Sequence, residues 1–358
     1  MKVLILSCNT GGGHNSCARY IQDELVSNGI ESDFKNYFEI VHLSKKDFSN
    51  RIYVNSLGKK GGIFNYAYKI GDEYDKTNLV SPVYLVNKLH SSRLYRFIVN
   101  NKYDLVICPH LFPAHAMTAI NKKHRVPFIF VDTDYEYHPL THEILADYFI
   151  IPKELEEKFT ARGVEKSKLV SLGIPVSSSY VKNAKNIREE LKVDKKMVLI
   201  LLGSMGFGNI ESVIDDLLNI KDTTFFIVCG KNAKLCDALK KYECNNLRIL
   251  GFTQNVNDLI KSSDIVISKP GGLSTTEIAT FRKGLIHMFP IPGVETTNTI
   301  YFSSRKMSLV AHDNKELLKH IDTLLNNREI YNDMIENQKK YIPSDSAKKL
   351  VEFIKEKY

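Results

Sequence analysis

No apolar run in this 358-residue sequence approaches the roughly 18 to 20 residues that a membrane-crossing helix needs. The longest are stretches such as Val126 to Val131 and Met197 to Leu202, which excludes a polytopic membrane protein. The opening Met1-Lys2 and Val3 to Leu6 meets Gly11-Gly12-Gly13 too soon for a secretory leader, so it reads as a first strand and a cytoplasmic location is expected. The six cysteines (Cys8, Cys17, Cys108, Cys229, Cys236, Cys244) form no C-x-x-C pair. Neither a zinc site nor a redox motif is signalled, and free thiols in a reducing compartment are expected. Repeats and low-complexity tracts are also lacking. Acids are scarce in one region: between Lys45 and Lys69 six basic residues stand against the single acid Asp47. Lys76, Lys88, Arg93, Arg96 and Lys102 then follow with no acid until Asp104. Phe48, Tyr53, Phe64, Tyr66, Tyr68, Tyr84, Tyr95 and Phe97 are interleaved with these cations. With a net charge of +8 the chain suits an anionic partner. No recognition-helix or RNA-binding signature accompanies the charge, so nucleic acid is not expected.

What is present is ordinary for a soluble globular protein: 43% hydrophobic and 25% charged residues, in a chain long enough for two domains. Short β-rich runs alternate with helical segments, the signature of parallel sheets covered by helices. One series runs through Val3 to Ser7, Leu105 to Cys108, Phe128 to Val131 and Tyr148 to Ile151, with a helix from about 16 to 28. A long helical and irregular stretch from about 45 to 101 interrupts it. The second series is Met197 to Leu202, Thr224 to Cys229, Leu247 to Leu250, Ile265 to Ser268 and Gly284 to Met288. Between them, Leu172 to Ser179 carries the Gly, Pro and Ser of a hinge. We therefore expect an N-terminal domain over 1–172 and a C-terminal domain over 173–343. The segment 344–358 has Ala347, Leu350, Val351 and Ile354 at helical spacing and is expected to pack back on the first domain.

Three loops between a strand and a helix carry candidate chemistry. Asn9-Thr10-Gly11-Gly12-Gly13-His14 follows the first strand, where open α/β sheets bind ligands and backbone N–H groups approach an anion closely. Its spacing is neither a P-loop nor G-x-G-x-x-G. His14 adds a group that titrates near neutrality and can take a proton from a hydroxyl. A simple tight turn explains the glycines but not the histidine. Gly203-Ser204-Met205-Gly206-Phe207-Gly208 repeats the device in the second half. Ser268-Lys269-Pro270-Gly271-Gly272-Leu273-Ser274-Thr275-Thr276-Glu277 supplies amides and hydroxyls for phosphate oxygens and a carboxylate for a ribose diol. Helix capping explains Ser274 and Glu277 but not Lys269-Pro270-Gly271-Gly272. Pro290-Ile291-Pro292-Gly293-Val294-Glu295-Thr296-Thr297-Asn298 comes later.

Together the glycine-histidine loop, the Lys-Pro-Gly-Gly-x-x-x-x-Glu segment and the Pro-x-Pro-Gly-x-Glu-x-x-Asn segment resemble the GT-B glycosyltransferases of family 28. The likeness is greatest to monogalactosyldiacylglycerol synthases and processive diacylglycerol glucosyltransferases. Thr133-Asp134 and His138 match the Thr-Asp and histidine that these enzymes carry after this strand. The resemblance implies an α/β fold of two Rossmann-like, doubly wound domains facing across a cleft. It implies inverting transfer of a hexose, glucose above all, from a UDP-sugar to diacylglycerol, with further sugars added in turn, and no cofactor or metal.

Carried over by position, the resemblance gives His14 and Asp134 catalytic roles, and Gly12, Gly13 and His138 acceptor contacts. The donor would be held by Gly203, Ser204, Gly206, Lys269, Gly271, Gly272 and Ser274 at the diphosphate and by Phe252 and Thr253 at the uracil. Glu277 would take the ribose, and Glu295 and Asn298 the sugar. Lys59, Lys60, Arg93 and Arg96 would rest on an anionic membrane surface, making the protein peripheral on the inner face of the cell membrane. One departure stands out: the family hinge usually reads Gly-x-Pro-Val-Arg, and here Ser177 follows Val176. Lys269 is the nearest candidate to replace that phosphate contact. Two other readings use the same residues: transfer of N-acetylglucosamine to a polyprenyl-linked peptidoglycan precursor, and a non-catalytic UDP-sugar sensor.

Overall fold

The computed structural model describes residues 1–9, 12–41, 80–203 and 210–358. By packing, the chain forms two compact units. The first comprises Met1–Ser178, Pro292–Val294 and Asp345–Tyr358; the second comprises Ser179–Ile291 and Glu295–Ser344.

Strands β1 (Lys2–Ser7), β2 (Glu31–Asn36), β3 (Leu105–Cys108), β4 (Phe128–Val131), β5 (Tyr148–Ile150) and β6 (Leu169–Val170) build the sheet of the first unit. The second contains β7 (Lys196–Leu201), β8 (Thr223–Val228), β9 (Leu247–Leu250), β10 (Ile265–Ser268), β11 (Gly284–Met288) and β12 (Leu309–Ala311). The described helices of nine residues or more are α1 (Gly12–Ser27), α2 (Pro82–Asn100), α3 (Leu111–Asn121), α4 (Gly272–Thr280), α5 (Val294–Ser304), α6 (Asn314–Asn326), α7 (Arg328–Tyr341) and α8 (Ser346–Lys357).

Every strand pair is parallel. Parallel strands covered on both faces need apolar residues on both, which is why Val3-Leu4-Ile5-Leu6 and Met197-Val198-Leu199-Ile200 are continuous apolar runs with no exposed surface. The strand order is β2-β1-β3-β4-β5-β6 in the first sheet and β12-β11-β10-β7-β8-β9 in the second. The order reverses between β1 and β3 and again between β7 and β10. The loops leaving these strands' carboxyl ends diverge there and open a crevice in each sheet.

Three strands escape the sequence pattern. β2 is polar because it lies at an edge, while β6 and β12 are edge strands of two and three residues. α1 starts at Gly12, four positions before the expected start, so the glycine-histidine loop is partly the first helical turn. The closing segment forms α8, which packs on α1 within the first unit. Ser346 Oγ–H donates to the Ile174 carbonyl at 2.9 Å and accepts from Val176 N–H at 3.2 Å, and Lys355 Nζ donates to Asn28 Oδ1 at 2.9 Å. Among the described residues no helix is long and apolar enough to cross a membrane.

Candidate functional site

At the first reversal, the turn after β1 brings His14 on α1 against the turn after β3. His14 Nδ1 lies 2.9 Å from the Pro109 carbonyl and 2.8 Å from Thr133 Oγ1. A carbonyl only accepts, so Nδ1 carries the proton and the basic lone pair is on Nε2. The His14 side chain is half-buried, and this desolvation pulls its pKa below the usual 6.5; the nearby Asp134 carboxylate, and then the Pro109 carbonyl, oppose that pull. The imidazole is therefore neutral at neutral pH while a negative charge stands ready for its protonated form.

His110 packs edge-to-face on His14 with ring centres 4.7 Å apart. Its Nδ1 accepts from Phe112 N–H at 3.2 Å and caps α3, so the cap fixes this ring's tautomer too. Burial holds His110 well below the ordinary histidine range, and the charges of His14, His138 and His115 push it the same way. Asp134 is half-buried and its backbone N–H donates to Asp132 Oδ1 at 3.3 Å. Asp132 is buried behind it, and desolvation followed by the Asp134 charge drives its carboxyl well above the normal range. His138 is half-buried, with Nδ1 against the Pro139 carbonyl. Gly12 is exposed and Gly13 half-buried at the start of α1.

At the second reversal, Gly203 follows β7 with φ +76°, a left-handed conformation that favours glycine. Ser204 and Gly206 lie outside the described residues. Lys269 is half-buried, Gly271 is the N-cap of α4, and Gly272 opens it, so the helix presents its first amides at the end of β10. An added Cβ at Gly271 meets nothing within 4 Å among the described residues. Ser274 is exposed and Glu277 half-buried on this helix. Phe252 is 60% exposed after β9, with Lys231 Nζ 5.4 Å from its ring centre. Thr253 is half-buried, and its Oγ1 accepts from Asn255 N–H at 3.1 Å. Glu295 is half-buried and its Oε2 accepts from Ile291 N–H at 2.9 Å. Asn298 has no exposed surface, and its Nδ2–H donates to the Pro270 carbonyl at 3.0 Å. It braces the Lys269–Gly271 turn from behind.

Of the four cations assigned to a membrane, Lys59 and Lys60 lie outside the described residues. Arg93 and Arg96 are exposed on α2, yet Arg93 Nη1 also donates to the Val41 carbonyl at 2.9 Å and so fastens the helix. Leu85, Val86 and Leu89 are exposed on the same helix, Leu89 by 79%. The sequence reading singled out neither His110 nor Lys231. Both stand in strand-to-helix loops, His110 two residues after β3 and Lys231 three residues after β8, and that position was the available signal.

Two parallel α/β sheets in one chain, each with its crevice at a strand-order reversal, define the GT-B fold. The solved structure of MurG from Acinetobacter baumannii shares the architecture, with a TM-score of 0.65 over 99% of both chains at 16% identity. The chain belongs to glycosyltransferase family 28: residues 14–176 match the monogalactosyldiacylglycerol (MGDG) synthase family, and residues 197–351 match the glycosyltransferase family 28 C-terminal domain. Its relatives include the processive diacylglycerol beta-glucosyltransferase of Bacillus licheniformis, 26% identical over 96% of this chain and 92% of that protein. The protein of the same name from Bacillus cereus is 28% identical over 90% of this chain and 85% of its own length.

Proposed function

We propose that this enzyme transfers glucose from UDP-glucose to the hydroxyl of diacylglycerol, inverting the anomeric carbon to give a β-glucosyldiacylglycerol and extending it with further glucose. The observation that carries the reading is the His14 geometry: an imidazole with Nδ1–H pinned by Pro109 and a basic Nε2, beside Asp134. Nε2 takes the proton of the acceptor hydroxyl as its oxygen bonds to the anomeric carbon and the bond to UDP breaks. Asp134 offsets the charge that His14 gains, and Thr133 keeps the ring in place. Gly12, Gly13 and His138 shape the acceptor side.

In the second unit the N-terminus of α4, Gly203, Ser204, Gly206, Lys269 and Ser274 meet the diphosphate, so no step is routed through a metal. Lys269 stands in for the missing hinge arginine, since Ser177 is buried. Phe252 and Thr253 flank the uracil, Glu277 takes the ribose and Glu295 the sugar, with Asn298 supporting the turn beneath. A diacylglycerol acceptor stays in its bilayer, so α2 rests on the inner face of the cell membrane. Leu85, Val86 and Leu89 enter the interface, and Arg96 with Arg93, Lys59 and Lys60 meets anionic headgroups.

The test is transfer of labelled sugar from UDP-glucose, UDP-galactose and UDP-N-acetylglucosamine into diacylglycerol in anionic vesicles, with His14→Ala alongside. Labelled glucolipid that depends on His14 is expected. UDP binding without lipid product from any donor would overturn the reading and leave a sensor of UDP-sugars or another acceptor.

A further inference from the structure

The turn that carries His138 is held in an unfavourable conformation by groups outside the chemistry described so far. Leu140 has φ +75°, the left-handed region, where a leucine is strained and persists only if its surroundings fix it. They do so through its carbonyl, which accepts from His115 Nε2–H at 3.1 Å and from Glu143 N–H at 3.2 Å. Thr141 N–H closes the turn on the His138 carbonyl at 3.1 Å. The Glu143 carboxylate in turn accepts from Ser81 N–H at 2.6 Å and from Ser81 Oγ–H at 2.5 Å, and Ser81 is the N-cap of α2.

His115 is an expensive residue for this place. It has no exposed surface, and its Nδ1 makes no hydrogen bond among the described residues. An apolar ring would fill the volume without leaving a buried acceptor unmade. Burial lowers its pKa to about 4 against the Leu140 carbonyl and the Glu143 charge, which raise it; His138 and His142 lower it further. Near neutral pH the ring is uncharged and keeps Nε2–H on Leu140.

We propose that His115 is a positioning residue for His138: by holding the Leu140 carbonyl it fixes the left-handed step of the turn that carries His138, with Glu143 clamping the same turn to the start of α2. The consequence for rate rests on the glucosyltransferase reading; the placement of His138 does not.

The experiment compares His115→Phe, His115→Gln and the double variant His115→Phe/Leu140→Gly. For each, kcat and the KM for UDP-glucose are measured, together with the NMR signal of the His138 ring, assigned by its loss in His138→Gln. His115→Phe is expected to lower kcat about tenfold with the KM for UDP-glucose unchanged, because sub-ångström misplacement acts on the reacting geometry. The His138 signal should move with it. His115→Gln, whose amide Nε2 reaches the place of the ring Nε2, retains the N–H donor and should keep most of the rate. Leu140→Gly, which adopts the left-handed step unaided, should restore kcat to within about threefold and return the signal. A wild-type rate and an unmoved signal in His115→Phe would overturn the proposal, as would a loss that glycine leaves uncorrected. Absence of glucolipid with the unaltered enzyme would count against the glucosyltransferase reading alone, and the His138 signal would still decide the placement. If His115→Phe does not fold, His115→Leu with and without Leu140→Gly decides by the same signal.

Discussion

A histidine acts as a general base only while neutral, and burial keeps His14 so by lowering its pKa below 6.5. The acid limb of the kcat/KM profile is therefore expected below pH 6.5, with activity lost as pH falls through the folded-state value. Asp134→Asn removes a charge that raises this pKa, so the limb should move to lower pH while kcat falls; an upward move in the pH–rate profile would contradict the assignment. His14→Ala should lower turnover by about two to four decades in the glycolipid assay. His14 stood out because a titratable ring follows the first strand, and Thr133 and Asp134 through the family resemblance. The Pro109 carbonyl was not: it is a backbone atom 95 positions away that only the pairing of β1 with β3 brings to His14. The resemblance assigns Asn298 to the sugar, while its burial and its bond to the Pro270 carbonyl beneath the turn were not legible in sequence.

Elements buried on both faces were the most legible, because a parallel sheet demands unbroken apolar runs. β3, β4, β10 and β11 fall on the residues expected. Of the edge strands, β2, β6 and β12 carry no such demand and gave no signal, whereas β9 was legible from Leu247 and Ile249 on its buried side. Packing between elements is equally silent in sequence, and Gly284 at the start of β11 is an example. A Cβ there would meet Tyr331 Cε2 on α7 at 2.9 Å and Ile265 Cγ1 at 3.3 Å. Gly284→Ala should lower stability by about 1–3 kcal/mol, read as a smaller midpoint in urea with unchanged slope. On α2, the two arginines separate. Arg96→Gln should weaken binding to anionic vesicles by about fivefold, less at high salt, with stability unchanged. Arg93→Gln should also lower the melting temperature, because Val41 loses its donor.

Across the whole molecule, buried neutral histidines set the acid limit. In the first unit His115 has its pKa lowered to about 4, and His110 lies well below 6.5; in the second, that of His287 is lowered to about 3. Each lowered value means that the unfolded chain binds the proton more tightly, so the contribution is whole above pH 6.5 and is lost as pH falls towards the folded value. Melting temperatures followed by calorimetry should fall from pH 6.5 towards 4. Deleting 345–358 removes Leu350, Val351 and Ile354 from the first unit, at a cost on the order of 5 kcal/mol. The calorimetric transition of the first unit should drop and that of the second should stay. α8 also orders events at the ribosome: it follows the second unit in the chain, so the unit begun first is finished last. A nascent chain holds a complete second sheet while α1 still waits, uncovered, for its partner helix.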